Sequence, residues 1–277
     1  MSTSALPVLV NTAHQQYSPL RELRELLAFS HLLTNMVRRD LTVRYKRSVI
    51  GFFWTMLSPL ILMVILTIVF STIFRFEGVQ HYETYFLSEF LVWGFFSQTT
   101  VTTMVNLTLH GNLLKRVRVP KAIFAVATTA SGLVNLALAC LPLLAIMLVV
   151  RAPISPAMLF LPVSFLIIAM FTLGVALGLS ALAVYFDDVS QMYQVGSIGW
   201  MYLTPIIYPE SIIPPHYAWI IRLNPLTHLF ELSRYPIYYG LLPPTHVLVG
   251  SLAVATVTLI AGWLLFHRLA RGFYVRL

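Results

Sequence analysis

From Ala122 to Val150 the chain carries no charged side chain, and Lys121 and Arg151 stand at the two borders of that run. Few folds accommodate such a stretch. A soluble surface helix would show a polar face, whereas a helix crossing the ~30 Å hydrocarbon core of a bilayer needs about 20 mostly apolar residues. Comparable runs recur, placing spans at about 52–74, 86–109, 122–150, 157–186, 189–209 and 246–266. Composition agrees: 58% of the 277 residues are hydrophobic and 10% are charged, where soluble domains carry about 25% charged residues. The expected fold class is all-α integral membrane, with six transmembrane helices.

Orientation follows from the distribution of Lys and Arg, because cytoplasmic connections retain the excess. The N-terminal segment, the loop at 110–121, the Asp187-Asp188 turn and the C-terminal segment together hold 14 of the 18 basic residues, and the alternate connections hold Arg75, Arg151, Arg222 and Arg234. Both termini are expected in the cytoplasm. The formal net charge of +8 does not indicate nucleic acid, since the basic residues lie between uncharged runs rather than on one soluble face. No secretory signal peptide is expected, because Arg21, Arg24, Arg38, Arg39, Arg44, Lys46 and Arg47 precede any long apolar stretch. The single cysteine, Cys140, sits inside an apolar run, which leaves no disulfide framework and no zinc set.

Two regions depart from simple spans. Residues 1–50 form a cytoplasmic segment in which Leu20, Leu23, Leu26, Leu27, Leu32, Leu33 and Met36 alternate with charges at helical spacing. A basic amphipathic helix of this kind lies in the membrane interface or docks on a partner protein. Residues 51–277 form the transmembrane domain, and within it 210–245 is too apolar for an external loop and too broken for a span. Asn224-Pro225 reads as an N-cap and first helical residue, and Gly240 as a stop. With a short helix over 217–223, this predicts a re-entrant hairpin on the outer face, beside protein or a water-filled path.

Chemistry is constrained mainly by what the chain lacks. No Gly-rich loop ends in Lys-Ser or Lys-Thr, so any energy from ATP would have to come from another chain, and this chain is expected to have no cofactor and no catalytic site. A secondary transporter needs ionisable groups near mid-membrane, but Glu89, Asp187 and Asp188 all fall at span ends. A membrane glycosyltransferase or acyltransferase would need clustered acids or histidines, which are also missing.

Two patterns remain informative. Tyr193, Ser197 and Trp200 recur at helical spacing in the fifth span, with Tyr202 nearby. Tyr and Trp collect at membrane interfaces regardless of function, yet aromatic faces also stack on sugar rings, so these four are candidates for lining a glycan path. The basic loop His110 to Lys121 carries Leu113, Leu114, Val117 and Val119. Apolar residues at the cytoplasmic face suit insertion into the groove of a soluble partner. Asp187-Asp188 reads as a cap charging the start of the fifth span.

Four stretches, in order, resemble the permease subunits of polysaccharide-exporting ABC transporters: Arg39 to Trp54 with Pro59, Leu114 to Lys121, Thr204 to Pro209, and Asn224-Pro225 through Glu231 and Arg234. The Asp187-Asp188 pair departs from the family pattern, in which a basic residue often precedes the aspartate. The resemblance implies a homodimer in the bacterial inner membrane, paired with two ATP-binding subunits and exporting a lipid-linked polysaccharide. O-antigen is favoured over capsule or teichoic acid. By position it implies an interface helix at 19–36, a channel-entrance gate including Arg44, Tyr45, Arg47 and Trp54, and a coupling helix of Asn112, Leu113, Leu114, Lys115, Arg116, Val117, Arg118 and Val119.

Overall fold

A computed structural model describes residues 24–26, 28–45, 81–109 and 119–273, with positions 57, 60–62, 64–65 and 68–69. Every regular element among them is helical: α1 (Ser30–Tyr45), α2 (Tyr82–Leu109), α3 (Ile123–Val149), α4 (Leu161–Tyr185), α5 (Asp188–Tyr202), α6 (Ala218–Leu223), α7 (Pro225–Arg234) and α8 (Thr245–Ala270). Short 3-10 turns at Pro156–Phe160, Glu210–Ile212 and Pro215–Tyr217, and a π turn at Tyr235–Tyr239, connect them. Three helices are long and apolar enough to cross a membrane among the described residues: Ile123–Val149, Pro156–Tyr185 and Thr245–Ala270. The chain is an α-helical integral membrane protein.

The described positions of the expected first span, from 57 to 68, are helical. α1 continues without a break from the expected interface helix into the expected gate as far as Tyr45, and its inward Leu33 and Met36 pack beside Leu26 and Phe29 on the start of α3. α2 has 28 residues and begins at Tyr82, ahead of the expected 86. α5 is shorter than its uncharged run: 15 residues, or about 22 Å at 1.5 Å per residue, ending at Tyr202 instead of 209. One cause is local and one is tertiary. Pro205 disfavours helix in the residue before it, and the Asn224 amide donates to the Leu203 carbonyl at 3.2 Å and to Thr204 Oγ1 at 2.8 Å, turning the chain aside. Hydropathy sees only the apolar run.

α2 and α3 run antiparallel, joined by Asn106 to Thr128 at 3.2 Å. α4 and α8 run parallel and share the most extensive interface. Their backbones meet at Gly174 and Gly262, where a Cβ on Gly262 would lie 1.9 Å from the Gly174 carbonyl oxygen. The core divides between the two ends of the bundle. At one end Phe86, Phe96, Phe171, Leu226 and Phe230 surround the helices of 210–245; at the other Ile123, Leu177, Ala181, Phe266 and Phe273 gather beneath α1.

Candidate functional site

α5 presents two unlike faces. Tyr193 hydroxyl and Thr100 Oγ1 of α2 lie 2.8 Å apart in a hydrogen bond, and the Trp200 indole N–H donates to Asn224 Oδ1 at 2.9 Å while its ring packs edge-on against Phe96. Ser197 is buried between them and donates to the Gln194 carbonyl. The residues at 193, 197 and 200 share one face of α5, and that face meets α2 and Asn224. Tyr202 lies 57% exposed, on the opposite side with Met192, Val195 and Ile198. Gly196 and Gly199 have nothing within 4 Å of where a Cβ would stand. The expected caps behave differently too: Asp187 makes no side-chain capping bond, and Asp188 lies in the first turn, where its charge suits the helix dipole.

Past α5, the chain folds around a buried ion cluster. Arg234, the last residue of α7, lies 3.6 Å from Glu89 of α2 and 3.8 Å from Glu210, with its own side chain 4% exposed, Glu89 at 0% and Glu210 at 45%. Its guanidinium donates to the Pro205 carbonyl at 2.5 Å and rests 4.7 Å from the centre of the Tyr85 ring. Tyr85 in turn donates to the carbonyls of Pro205 and Tyr208, and Tyr82 to that of Ile207. The turned segment after α5 is thus held through its backbone by two tyrosines and one arginine. Both Glu89 oxygens lack a hydrogen-bond donor among the described residues. Burial, reinforced by Glu210, pushes the nearby Glu231 carboxyl above its ordinary range, against the pull of His228, Arg234 and His246.

This cluster corrects one expectation. Glu89 does sit near a helix end, yet it is fully buried and paired, so the chain does contain a buried acid. The available signal was rarity: Glu89 borders a long apolar run, and Arg234 belongs to the charge-poor set of connections, where an ionisable residue calls for a named partner.

The Asn224-Pro225 expectation holds. Asn224 Oδ1 accepts from the Leu226 amide at 3.1 Å, Pro225 opens α7, and Gly240 stops the π turn in the left-handed region at φ +67°. Pro236 has no N–H to offer the Leu232 carbonyl at the usual helical spacing, and buried Ser164 of α4 donates to that oxygen at 2.9 Å. One turn earlier, Ser251 of α8 donates to the His228 carbonyl at 2.8 Å. α7 is fastened to both helices.

Of the expected coupling residues, Asn112, Leu113, Leu114, Lys115, Arg116, Val117 and Arg118 lie outside the described residues, as do Arg47 and Trp54 of the expected gate. Arg44 and Tyr45 are the last residues of α1. Val119 packs against the core beneath α1.

The sequence profile of the family described as ABC-2 type transporter matches residues 31–238. The chain belongs to the ABC-2 type transporter family. The match takes in α1 through α7, and so includes both faces of α5 and the ion cluster. This ABC-2 chain is 30% identical over 252 residues to the O-antigen export system permease protein RfbA of Myxococcus xanthus, covering 90% of this chain and 96% of that protein. It is 24% identical over 201 residues to an O-antigen export system permease protein RfbA of Klebsiella pneumoniae, covering 72% and 76%. It is also 21% identical over 216 residues to the capsule polysaccharide export inner-membrane protein CtrC of Neisseria meningitidis, covering 76% and 81%.

Proposed function

We propose that this chain is the permease subunit of an ABC exporter that carries lipid-linked polysaccharide, O-antigen in particular, across the bacterial inner membrane. The observation that carries this reading is the near full-length similarity to the O-antigen permease of Myxococcus xanthus. Physical support comes from α5: a helix of 15 residues cannot cross the core alone, and the non-helical backbone after it needs protein or water to satisfy its polar groups. A polar glycan requires such a wet path. Family membership favours transport over the glycosyltransferase and acyltransferase readings, and over a small-molecule secondary transporter. Capsule export is the second reading, resting on the similarity to CtrC.

In this reading six spans cross the membrane, with both termini in the cytoplasm and the helices of 210–245 at the outer face. Two copies enclose the path, and two separate ATPase subunits supply energy from ATP and Mg. The antiparallel α2 and α3 and the parallel α4 and α8 fit that topology. Tyr202 and the open side of α5 face the glycan, while Tyr193, Ser197 and Trp200 hold the rotation of that wall. Arg44, Tyr45, Arg47 and Trp54 stand at the entrance, and the segment 112–119 receives the ATPase stroke. The lipid carrier stays in the bilayer while the sugar threads the lumen.

The test is reconstitution of the chain with its ATPase in proteoliposomes. Leu113→Asp and Val117→Asp should abolish glycan export while membrane insertion is unchanged, and Tyr202→Ala should lower export. Glycan transport by the chain without an ATPase would sink the proposal.

A further inference from the structure

The basic loop at 110–121 ends in a residue that grips the far end of the chain. Lys121 Nζ donates to the carbonyl of Ala270, the last residue of α8, and lies 5.1 Å over the Phe273 ring. One residue earlier the Leu269 carbonyl accepts from the Tyr185 hydroxyl, at the end of α4, at 2.8 Å. The final carbonyls of a helix have no partner within it and carry the negative end of its dipole. An ammonium and a phenol therefore close the end of α8 and tie it both to the loop base and to α4. Gly272 makes the approach possible, since a Cβ there would lie 2.1 Å from the Tyr185 oxygen.

α4 and α8 then continue together to the opposite end. Their contact at Gly174 and Gly262 is backbone against backbone, with no flexible side chain between to absorb a displacement. Close-packed interiors of this kind transmit strain. At the far end Ser164 and Ser251, both fully buried, fasten the two helices to the carbonyls of Leu232 and His228 in α7. α7 carries Arg234, which holds the turned segment through Pro205. The chain of contacts runs unbroken from Lys121 to the segment after α5.

We infer that α4 and α8 act as one lever between the basic loop and the outer helices, with Lys121 its cytoplasmic clamp and Ser164 and Ser251 its outer attachment. These are positioning residues; none touches substrate. The inference rests on the exporter reading above and adds which helices carry the stroke. Displacement of the loop by the ATPase pulls the end of α8, α4 follows because the glycine contact admits no sliding, and α7 shifts with both.

The experiment uses the full complex in proteoliposomes, measuring glycan exported per ATP hydrolysed for Lys121→Met, Lys121→Arg, the Ser164→Ala/Ser251→Ala double variant, and Lys121→Met combined with both serine changes. Lys121→Met and the serine double variant should each lower that ratio by about 2- to 30-fold, the range over which residues on a coupling route act. Lys121→Arg should retain it, and the combined variant should be no worse than the more severe of its parts. A Lys121→Met ratio equal to wild type, or a combined loss equal to the product of the separate losses, overturns the lever. Hydrogen exchange of the α7 amides gives a second readout: binding of a non-hydrolysable nucleotide should alter it in the wild-type complex and not with Lys121→Met. Persistence of that nucleotide response in the variant also overturns the lever. A wild-type complex with no ATP-driven export overturns the exporter reading itself, and the lever with it.

Discussion

The guanidinium of Arg234 stands 3.6 Å from the carboxylate of Glu89, with the two side chains 4% and 0% exposed. Their attraction grows as the surroundings become less polar, but so does the cost of taking each from water. Removing one partner strands the other. Glu89→Leu or Arg234→Met alone should therefore cost about 3–5 kcal/mol of stability, and the double replacement should recover most of it. Thermal unfolding of the purified chain checks this, and single variants that melt with wild type would remove the pair from any structural account.

Asn224 joins three elements through one amide. It caps α7, accepts from Trp200, and donates to Leu203 and Thr204. Asn224→Ala should cost about 1–2 kcal/mol for the cap alone, and more because the Trp200 N–H loses its acceptor. Asn224→Asp keeps both accepting bonds and loses the two donated ones, so its melting temperature should fall between alanine and wild type. A melting temperature for Asn224→Ala at the wild-type value would contradict the assignment.

Glycine substitutions should separate packing from open surface. Gly262→Ala forces the α4 and α8 backbones apart, and overpacking a tight core costs about 1–3 kcal/mol or more. Gly199→Ala, with nothing within 4 Å, should fold like wild type or slightly better, since alanine favours helix by about 1 kcal/mol over glycine. Comparable losses from both would refute the contact.

Glu231 makes stability depend on pH. Burial is the largest influence raising its carboxyl from the ordinary 4.5, so the fold favours the protonated form. The stability this group contributes is complete below pH 4.5 and is lost as pH rises through its higher folded value. Glu231→Gln, which mimics the protonated acid, should match wild type in acid and exceed it at higher pH. Melting curves across that range test the sign, and a variant less stable at high pH would reverse it.

Much of the architecture was legible because the forces that set it are local or one-dimensional. Apolar run length marked the long helices at 123–149, 156–185 and 245–270. The capping chemistry of Asn224-Pro225 and the left-handed tolerance of Gly240 marked the boundaries of α7 and the π turn, since a cap depends on two or three neighbouring residues. The ABC-2 family profile and the M. xanthus relative agree with the permease resemblance.

What tertiary structure decided was which side of each pattern meets what. Helical spacing put Tyr193, Ser197 and Trp200 on one face of α5, but spacing is blind to the neighbour across the gap, and that face is occupied by Thr100, Phe96 and Asn224. Hydropathy carried the fifth span to 209, whereas an amide from Asn224, remote in sequence, ends the helix at Tyr202. Glu89 and Arg234 each read as a lone boundary charge until folding withdrew both from water and left each as the other's principal compensation. A sequence records the period and polarity of every helix; the contacts between helices are set by shape and burial, which exist only once the chain has closed on itself.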